Sequence, residues 1–455
     1  MHKFFKKINN KIKQGDGKFM EKKDFEIKQG IKAHFIKTDL FKTNMISCII
    51  TVPLIRENVT KNALIVSMLR RGTANFKTQL DLSRELENLY GAAFECGIDK
   101  YGDNQILKFY ADSINDKFAL NQEEILKNTL NILLDIICNP LLENGKFKEE
   151  YLKVEKENLS KIIKSKIDDK DLYAYETCIS KMYGDNGFGL YKYGYLEDLE
   201  NITVENLTEH YNNLIQNSKM DIFISGDFDE KYIKEIILNN QNIQKLRPRI
   251  ENYILNNELT EKKQTPENVN EITETMDVTQ GKLVIGMDVN ADCDKLQFKT
   301  LLYNIVLGSG ANSLLFQNVR EKESLAYSIK SLYVKQKANI FIRAGIEIPN
   351  FEKAVRLIEE QLEIMKKGEF SDNDLASAKE YVKAGIVAIE TEQDTGIVYY
   401  IGQEISKTDT TLEEYLKNIE EITKQDIMEI AQNIKINTVY FLKNEKEEAD
   451  ANHTK

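Results

Sequence analysis

Apolar residues along the chain fall at two spacings, one helical and one extended, and they return in the same order twice. Behind Thr203, Val204, Leu207, Tyr211 and Leu214 share one helical face, and the run from Met220 to Ser225 reads as a buried strand closed by Gly226. Much later the pattern recurs. Leu199-Glu200-Asn201-Ile202-Thr203 with Leu207 is matched by Ile419-Glu420-Glu421-Ile422-Thr423 with Ile427, followed by a helix to Ile434 and a strand from Ile436 to Leu442. Thr203 and Thr423 suit helix N-caps, the second in capping-box spacing with Asp426.

The beginnings of the two halves correspond as well. Met45 to Val52 and Lys282 to Val289 have strand character, and each precedes an apolar helix stopped by glycine: Asn62 to Arg71 before Gly72, and Lys295 to Leu307 before Gly308. A second helix and two strands joined by a short polar turn then follow in each half. The turn falls at Tyr101-Gly102-Asp103 in the first and near Lys335 to Lys337 in the second. Phe351, Ala354, Val355, Ile358, Leu362 and Met365 form a further stripe ending at Gly368, and Ser371 caps the next helix with Asp374 three residues on. Tight hairpins with helices in pairs predict an α+β fold of two duplicated halves, each a mostly antiparallel sheet packed with helices.

The expected divisions are an N-terminal extension over 1–24, a first half over 25–247, a polar linker over 248–274, a second half over 275–445 and a disordered tail over 446–455. Residues 1–18 are basic and weakly amphipathic through Phe4, Phe5, Ile8 and Ile12. Gln14-Gly15-Asp16-Gly17, in A-rich codons, would read as a ribosome-binding sequence ahead of Met20, so Met20 is expected as the natural start.

Composition narrows the function. With 455 residues, 42% hydrophobic and 30% charged, the chain can build a core of ordinary size. Its net charge of -11 lacks the footprint of a nucleic-acid binder. No apolar run has the length of a membrane span, which points to a cytoplasmic protein with no membrane partner. The five cysteines, Cys48, Cys96, Cys138, Cys178 and Cys293, are scattered and odd in number, as expected of reduced, buried thiols.

Recognisable chemistry is missing. The four histidines, His2, His34, His210 and His453, never lie one helical turn apart, so no helix offers two imidazoles to one metal. His34, in a strand region, and His210, on the Thr203 helix, read as structural residues. Phosphate-binding glycine loops and the G-x-S-x-G elbow are absent, and the acidic pairs Glu149-Glu150 and Asp168-Asp169 read as solvated helix faces. Neither a cofactor nor a resident metal is expected.

The helix Ala63-Leu64-Ile65-Val66-Ser67-Met68-Leu69-Arg70-Arg71-Gly72-Thr73 resembles the M16 family of insulinase and mitochondrial processing peptidase. Active members carry the inverted zinc motif H-x-x-E-H there. On that frame the first histidine falls at Ala63, the glutamate at Val66 and the second histidine at Ser67, while the distal glutamate ligand falls at Ile162. All four are lost. Leu89-Tyr90-Gly91-Ala92, Ser225-Gly226-Asp227 and Leu307-Gly308-Ser309 onward to Ser313, Phe316, Arg320 and Leu325-Ala326-Tyr327-Ser328 keep the family pattern. The resemblance spans about Phe25 to Leu442. It implies that Arg320 and Tyr327 bind substrate, since they match an Arg and a Tyr that reach toward peptide in the family. Tyr90-Gly91-Ala92 with Asp99-Lys100-Tyr101-Gly102 looks like the non-catalytic M16 proteins of Gram-positive bacteria, which have been linked to modification of elongation factor P.

The resemblance thus implies a pseudo-peptidase, the non-catalytic subunit of a heterodimeric zinc metallopeptidase. It would supply chamber wall and peptide binding beside a zinc-bearing M16 partner. The rival expectation is a peptide-binding or scaffold protein with no protease partner. The long glycine-rich loop of the non-catalytic mitochondrial subunit is missing, since Gly308 and Gly310 are all that remain of it.

Overall fold

A computed structural model describes residues 22–185, 187–249 and 265–444. The expected N-terminal extension up to residue 21, most of the linker and the C-terminal tail lie outside the described residues. The strands are β1 (Lys22–Lys28), β2 (Ile31–Lys37), β3 (Thr43–Pro53), β4 (Ala93–Tyr101), β5 (Asn104–Ile114), β6 (Lys219–Gly226), β7 (Asn270–Thr275), β8 (Gly281–Val289), β9 (Ala326–Val334), β10 (Asn339–Ile346) and β11 (Ile434–Lys443). The first sheet runs β1-β2-β6-β3-β5-β4 and the second β7-β11-β8-β10-β9. In each, one pair is parallel, β2 with β6 and β7 with β11, and the rest are antiparallel. Apart from β1 the second order repeats the first strand for strand, so the duplication read from the sequence is one of topology. Mostly antiparallel sheets with helices give the α+β class.

The longer helices are α1 (Val59–Leu69), α2 (Gln79–Asn88), α3 (Ile125–Cys138), α4 (Glu149–Ser165), α5 (Lys170–Tyr183), α6 (Val204–Asn217) and α7 (Glu230–Asn239), followed by the single turn α8 (Gln241–Lys245). Later come α9 (Leu296–Gly308), a π-helical turn (Leu315–Lys322), α10 (Phe351–Lys367), α11 (Asp372–Thr391), α12 (Gln393–Ser406), α13 (Leu412–Glu421) and α14 (Lys424–Gln432). The local signals behave as written. Thr203 and Thr423 each form a capping box, with Asn206 and Asp426 respectively, and Ser371 with Asp374 does the same at α11. α10 stops where Gly368 turns left-handed at φ 69°. The first hairpin turns at Gly102, φ 55°, and the second at Ala338, φ 46°.

The compact units do not follow the linear halves. Among the described residues, one comprises 22–163, 190–249 and 386–411; the other comprises 164–185, 187–189, 265–385 and 412–444. Thus α5 of the first half belongs to the second unit, and α12 of the second half to the first. The reason is a sheet with two apolar faces. In unit 1, Ala33, Phe35, Cys48, Ile50, Phe109 and Ile222 point into the main core, where side chains of α1, α3 and α6 meet them. The alternate positions Ile36, Ile49, Ile106 and Phe223 are covered by Ile397, Tyr400, Ile401 and Ile405 of α12. In unit 2, Val284, Phe341, Tyr440 and Leu442 are covered in the same way by Ala174, Tyr175, Cys178 and Ile179 of α5. The segment expected as a solvated linker is structured at both described ends: Arg249 is buried, and Asn270–Thr275 is a sheet strand.

Candidate functional site

The positions where a zinc motif would stand lie on α1 and α4 of unit 1. α1 is apolar on nearly all sides because it packs against β4, β5 and α6, so most of its residues are buried. Ala63 is 3% exposed and Val66 4%, Ser67 is half-buried, and Ile162 on α4 is 41% exposed. Two methyl-bearing side chains, one hydroxyl and an isoleucine present no imidazole or carboxylate, so this donor set does not fit a zinc ion. The neighbouring groups do not replace it. The Cys96 thiol donates weakly to the Val66 carbonyl at 3.7 Å, and burial pushes it up to about 11, which keeps it protonated. Glu155 is 5% exposed and is taken by Arg71.

A polar network braces α1 in place of metal. Asn62 Nδ2 donates to Gln105 Oε1 at 2.7 Å, and Gln105 Nε2 donates to the carbonyls of Val59 (3.0 Å) and Lys192 (2.8 Å). His210 Nε2 donates to Asn62 Oδ1 at 2.7 Å. Burial, with Lys61 nearby, lowers its pKa to about 4, so the ring is neutral at pH 7 and serves as one member of this brace. Gly194, φ 80°, lies against the first turn of α1, and a Cβ there would meet Thr60 Cα at 2.6 Å. Gly194→Ala is therefore expected to cost about 2–4 kcal/mol, from a left-handed backbone and a clash no rotamer relieves. Urea denaturation checks it, and a loss under about 1 kcal/mol would mean that α1 shifts freely.

Unit 2 holds Arg320 and Tyr327. Arg320 stands on the π-helical turn with its guanidinium 4.6 Å from the centre of the Phe316 ring, and its Nε is 3.6 Å from Glu321. Its side chain is 41% exposed. Tyr327 is the second residue of β9, an edge strand of the sheet, is 61% exposed, and donates its hydroxyl to Glu347 Oε1 at 3.1 Å. That bond to a carboxylate raises the phenol pKa.

A third assembly was invisible in the sequence. His34 of β2 is fully buried, its Nδ1 2.8 Å from Asp24 Oδ1 and its Nε2 3.0 Å from Asp221 Oδ1, and its ring stacks on Phe223. Lys219 bridges Asp221 (3.2 Å) and Glu404 of α12 (2.6 Å), and Lys32 reaches Glu404 at 3.0 Å. Ligand atoms of Asp24, His34 and Glu404 come within 4.8 Å of one another. With both imidazole nitrogens on carboxylates and two ammonium groups on Glu404, this is a closed ion-pair cluster rather than a metal centre. It fastens α12 to the sheet. Its members are separated by up to hundreds of residues in the chain, so no local motif announced it.

Among the described residues, no helix is long and apolar enough to cross a membrane. The five cysteines are free; Cys48 and Cys178 are buried and the other three half-buried. The fold is of this duplicated form, and the positions where a zinc motif would stand carry no metal-binding side chain. The profile of the peptidase M16 inactive domain matches residues 201–382. The probable inactive metalloprotease YmfF of Bacillus subtilis is 33% identical over 416 residues, covering 91% of this chain and 96% of its own. The chain belongs to the M16 peptidase family, as an inactive, non-catalytic member. The uncharacterized zinc protease YmxG of the same organism is 21% identical, over 58% of this chain and 62% of its own. A conserved protein of Enterococcus faecalis, solved by crystallography, superimposes with a TM-score of 0.84 at 26% identity, over 93% of this chain and 99% of its own.

Proposed function

We propose that this chain is the non-catalytic subunit of a heterodimeric M16 zinc metallopeptidase, in which a second chain supplies metal and general base. The observation that carries the reading is an asymmetry between the units. The four metal positions of unit 1 hold Ala63, Val66, Ser67 and Ile162, while in unit 2 Arg320 and Tyr327 remain polar and exposed. A guanidinium held by a stacked ring suits a peptide carbonyl or carboxylate, and a phenol on an edge strand can donate to peptide oxygen. Neither is absorbed into a core. The chain then serves as chamber wall and peptide-binding surface in the cytoplasm. Zinc proteases such as YmxG stand among the relatives, which supports a partner of that kind.

Purification from the natural cells, with zinc and peptide cleavage assayed on the eluate and on the isolated chain, tests this. The expected result is co-elution with a zinc-bearing M16 protein and activity that needs both chains. Elution alone and inert would leave a peptide-binding or scaffold role. In the reconstituted pair, Arg320→Ala is expected to lower kcat/KM by about 10–100-fold with zinc content and assembly unchanged. Unchanged kinetics would remove Arg320 from the peptide-binding role. The likeness to Gram-positive non-catalytic members adds an expected link to elongation factor P modification; unaltered modification of that factor on deleting the gene would dissolve it.

A further inference from the structure

Unit 1 carries a cleft of about 890 Å³ between α3, α7, α8 and the loop after α1, lined on nearly half its residues by carboxamides. Asp135 lies in its wall, on the last turn of α3 and 5% exposed. That is a poor place for a carboxylate, because the end of a helix presents partial negative charge. Its Oδ1 accepts from Nδ2 of Asn75 (3.0 Å) and Asn139 (2.8 Å), and Asn242 reaches it only at 3.5 Å. Its Oδ2 is buried and has no hydrogen-bond partner. A buried carboxylate oxygen left unpaired has given up its hydration without a replacement, so the site holds an acceptor waiting for a donor.

The surroundings select the donor. Asn75 and Asn139 each commit one amide hydrogen to Asp135, which leaves their carbonyl oxygens as acceptors, while Asn131 Oδ1 already accepts from Asn240 and Asn240 Oδ1 from the backbone of Asn242 and Ile243. Glu85 and Glu235 add two carboxylates and Phe76 and Tyr232 two aromatic rings, while Lys127, one of the two lysines present, is held by Glu124 at 2.6 Å. Acceptors, negative charge and ring faces together favour an organic cation. We propose that this cleft binds a primary ammonium or guanidinium group, which displaces Asn242 and donates to Asp135 Oδ2. The group can belong to a free polyamine or to a lysine or arginine side chain of a peptide.

Calorimetry on the full chain, with spermidine, tetralysine and tetraarginine as probes and N-acetyl-tetraglycine amide as the uncharged control, tests the site. Saturable binding of one or more cationic probes is expected, weakened about tenfold or more by Asp135→Asn, which keeps the shape and removes the charge. Spermidine binding alone assigns a polyamine; binding of the peptides alone assigns a basic side chain. The exposed Glu235→Gln should weaken binding about two- to fivefold without touching the core, and it serves if Asp135→Asn does not fold. No saturable binding at millimolar probe, or equal binding by wild type and both variants as expected of diffuse attraction to a chain of net charge -11, would overturn the proposal.

Discussion

Asp221→Ala is expected to destabilise the protein by about 3–5 kcal/mol, because it removes a fully buried carboxylate that pairs with two buried basic groups at once. Asp221 is fully buried and receives His34 Nε2 and Lys219 Nζ, themselves 0% and 5% exposed on their side chains. Without it, His34 keeps Asp24, and Lys219 keeps Glu404, but the charge balance on the face beneath α12 fails. Urea denaturation measures the loss, and a change under about 1 kcal/mol would show that the cluster relaxes without cost. The same cluster sets a pH dependence. Burial alone would lower the His34 pKa, yet its bonds to Asp221 and Asp24 outweigh that and raise it above 6.5. Its contribution is therefore complete below about pH 6.5 and is lost as pH rises through the raised folded value. Glu404 runs the other way. Burial would raise it, but Lys219 and Lys32 hold it down at about 2, so its contribution is present above 4.5 and lost as pH falls toward 2. Stability from this cluster should thus be greatest between about pH 4.5 and 6.5, and His34→Gln should flatten the alkaline side. A stability curve unchanged by His34→Gln between pH 6 and 9 would contradict the assignment.

What could be read from the sequence was what acts locally. Thr203, Thr423 and Ser371 cap their helices through groups three residues away, and strand alternation shows in the residues themselves. The repeated pattern was legible for the same reason, and it extends to the position of the single parallel pair in each sheet. The exchange of α5 and α12 was not. An apolar stripe such as Ile397, Tyr400, Ile401 and Ile405 states that a helix is covered, but says nothing about which sheet covers it. The ion cluster was hidden for a related reason, since His34 meets Asp221 across 187 positions and Lys219 meets Glu404 across 185. The missing zinc motif lies within a single helix, where substitution of Ala63, Val66 and Ser67 shows directly. Arg320 and Tyr327 were singled out by the resemblance alone; their exposure is what the fold adds.

The second large effect is expected at Arg249→Ala, a loss of about 3–4 kcal/mol, and it follows from an arginine paired with no carboxylate among the described contacts. Arg249 is 1% exposed, although the segment around it is polar and reads as solvated. Its guanidinium donates to three main-chain carbonyls, Ser218 at 3.0 Å, Ile215 at 2.7 Å and Arg247 at 2.5 Å. Two of these end α6, where the last carbonyls have no intrahelical donor and the dipole favours a cation. Burial pulls the Arg249 pKa down, and the fork of donors is what makes so buried a charge tolerable. Gly30 is part of the arrangement: at φ 73° it allows the arginine stem to pass, and a Cβ there would meet Arg249 Cβ at 2.6 Å. Alanine at 249 would empty this space and leave the carbonyls buried without donors, whereas lysine would reach one and lose about half as much. Urea denaturation of both variants gives the order. Equal stability of Arg249→Ala and wild type would mean that water caps α6 as well as the guanidinium does, and that the chain leaves unit 1 before Arg249 rather than after it.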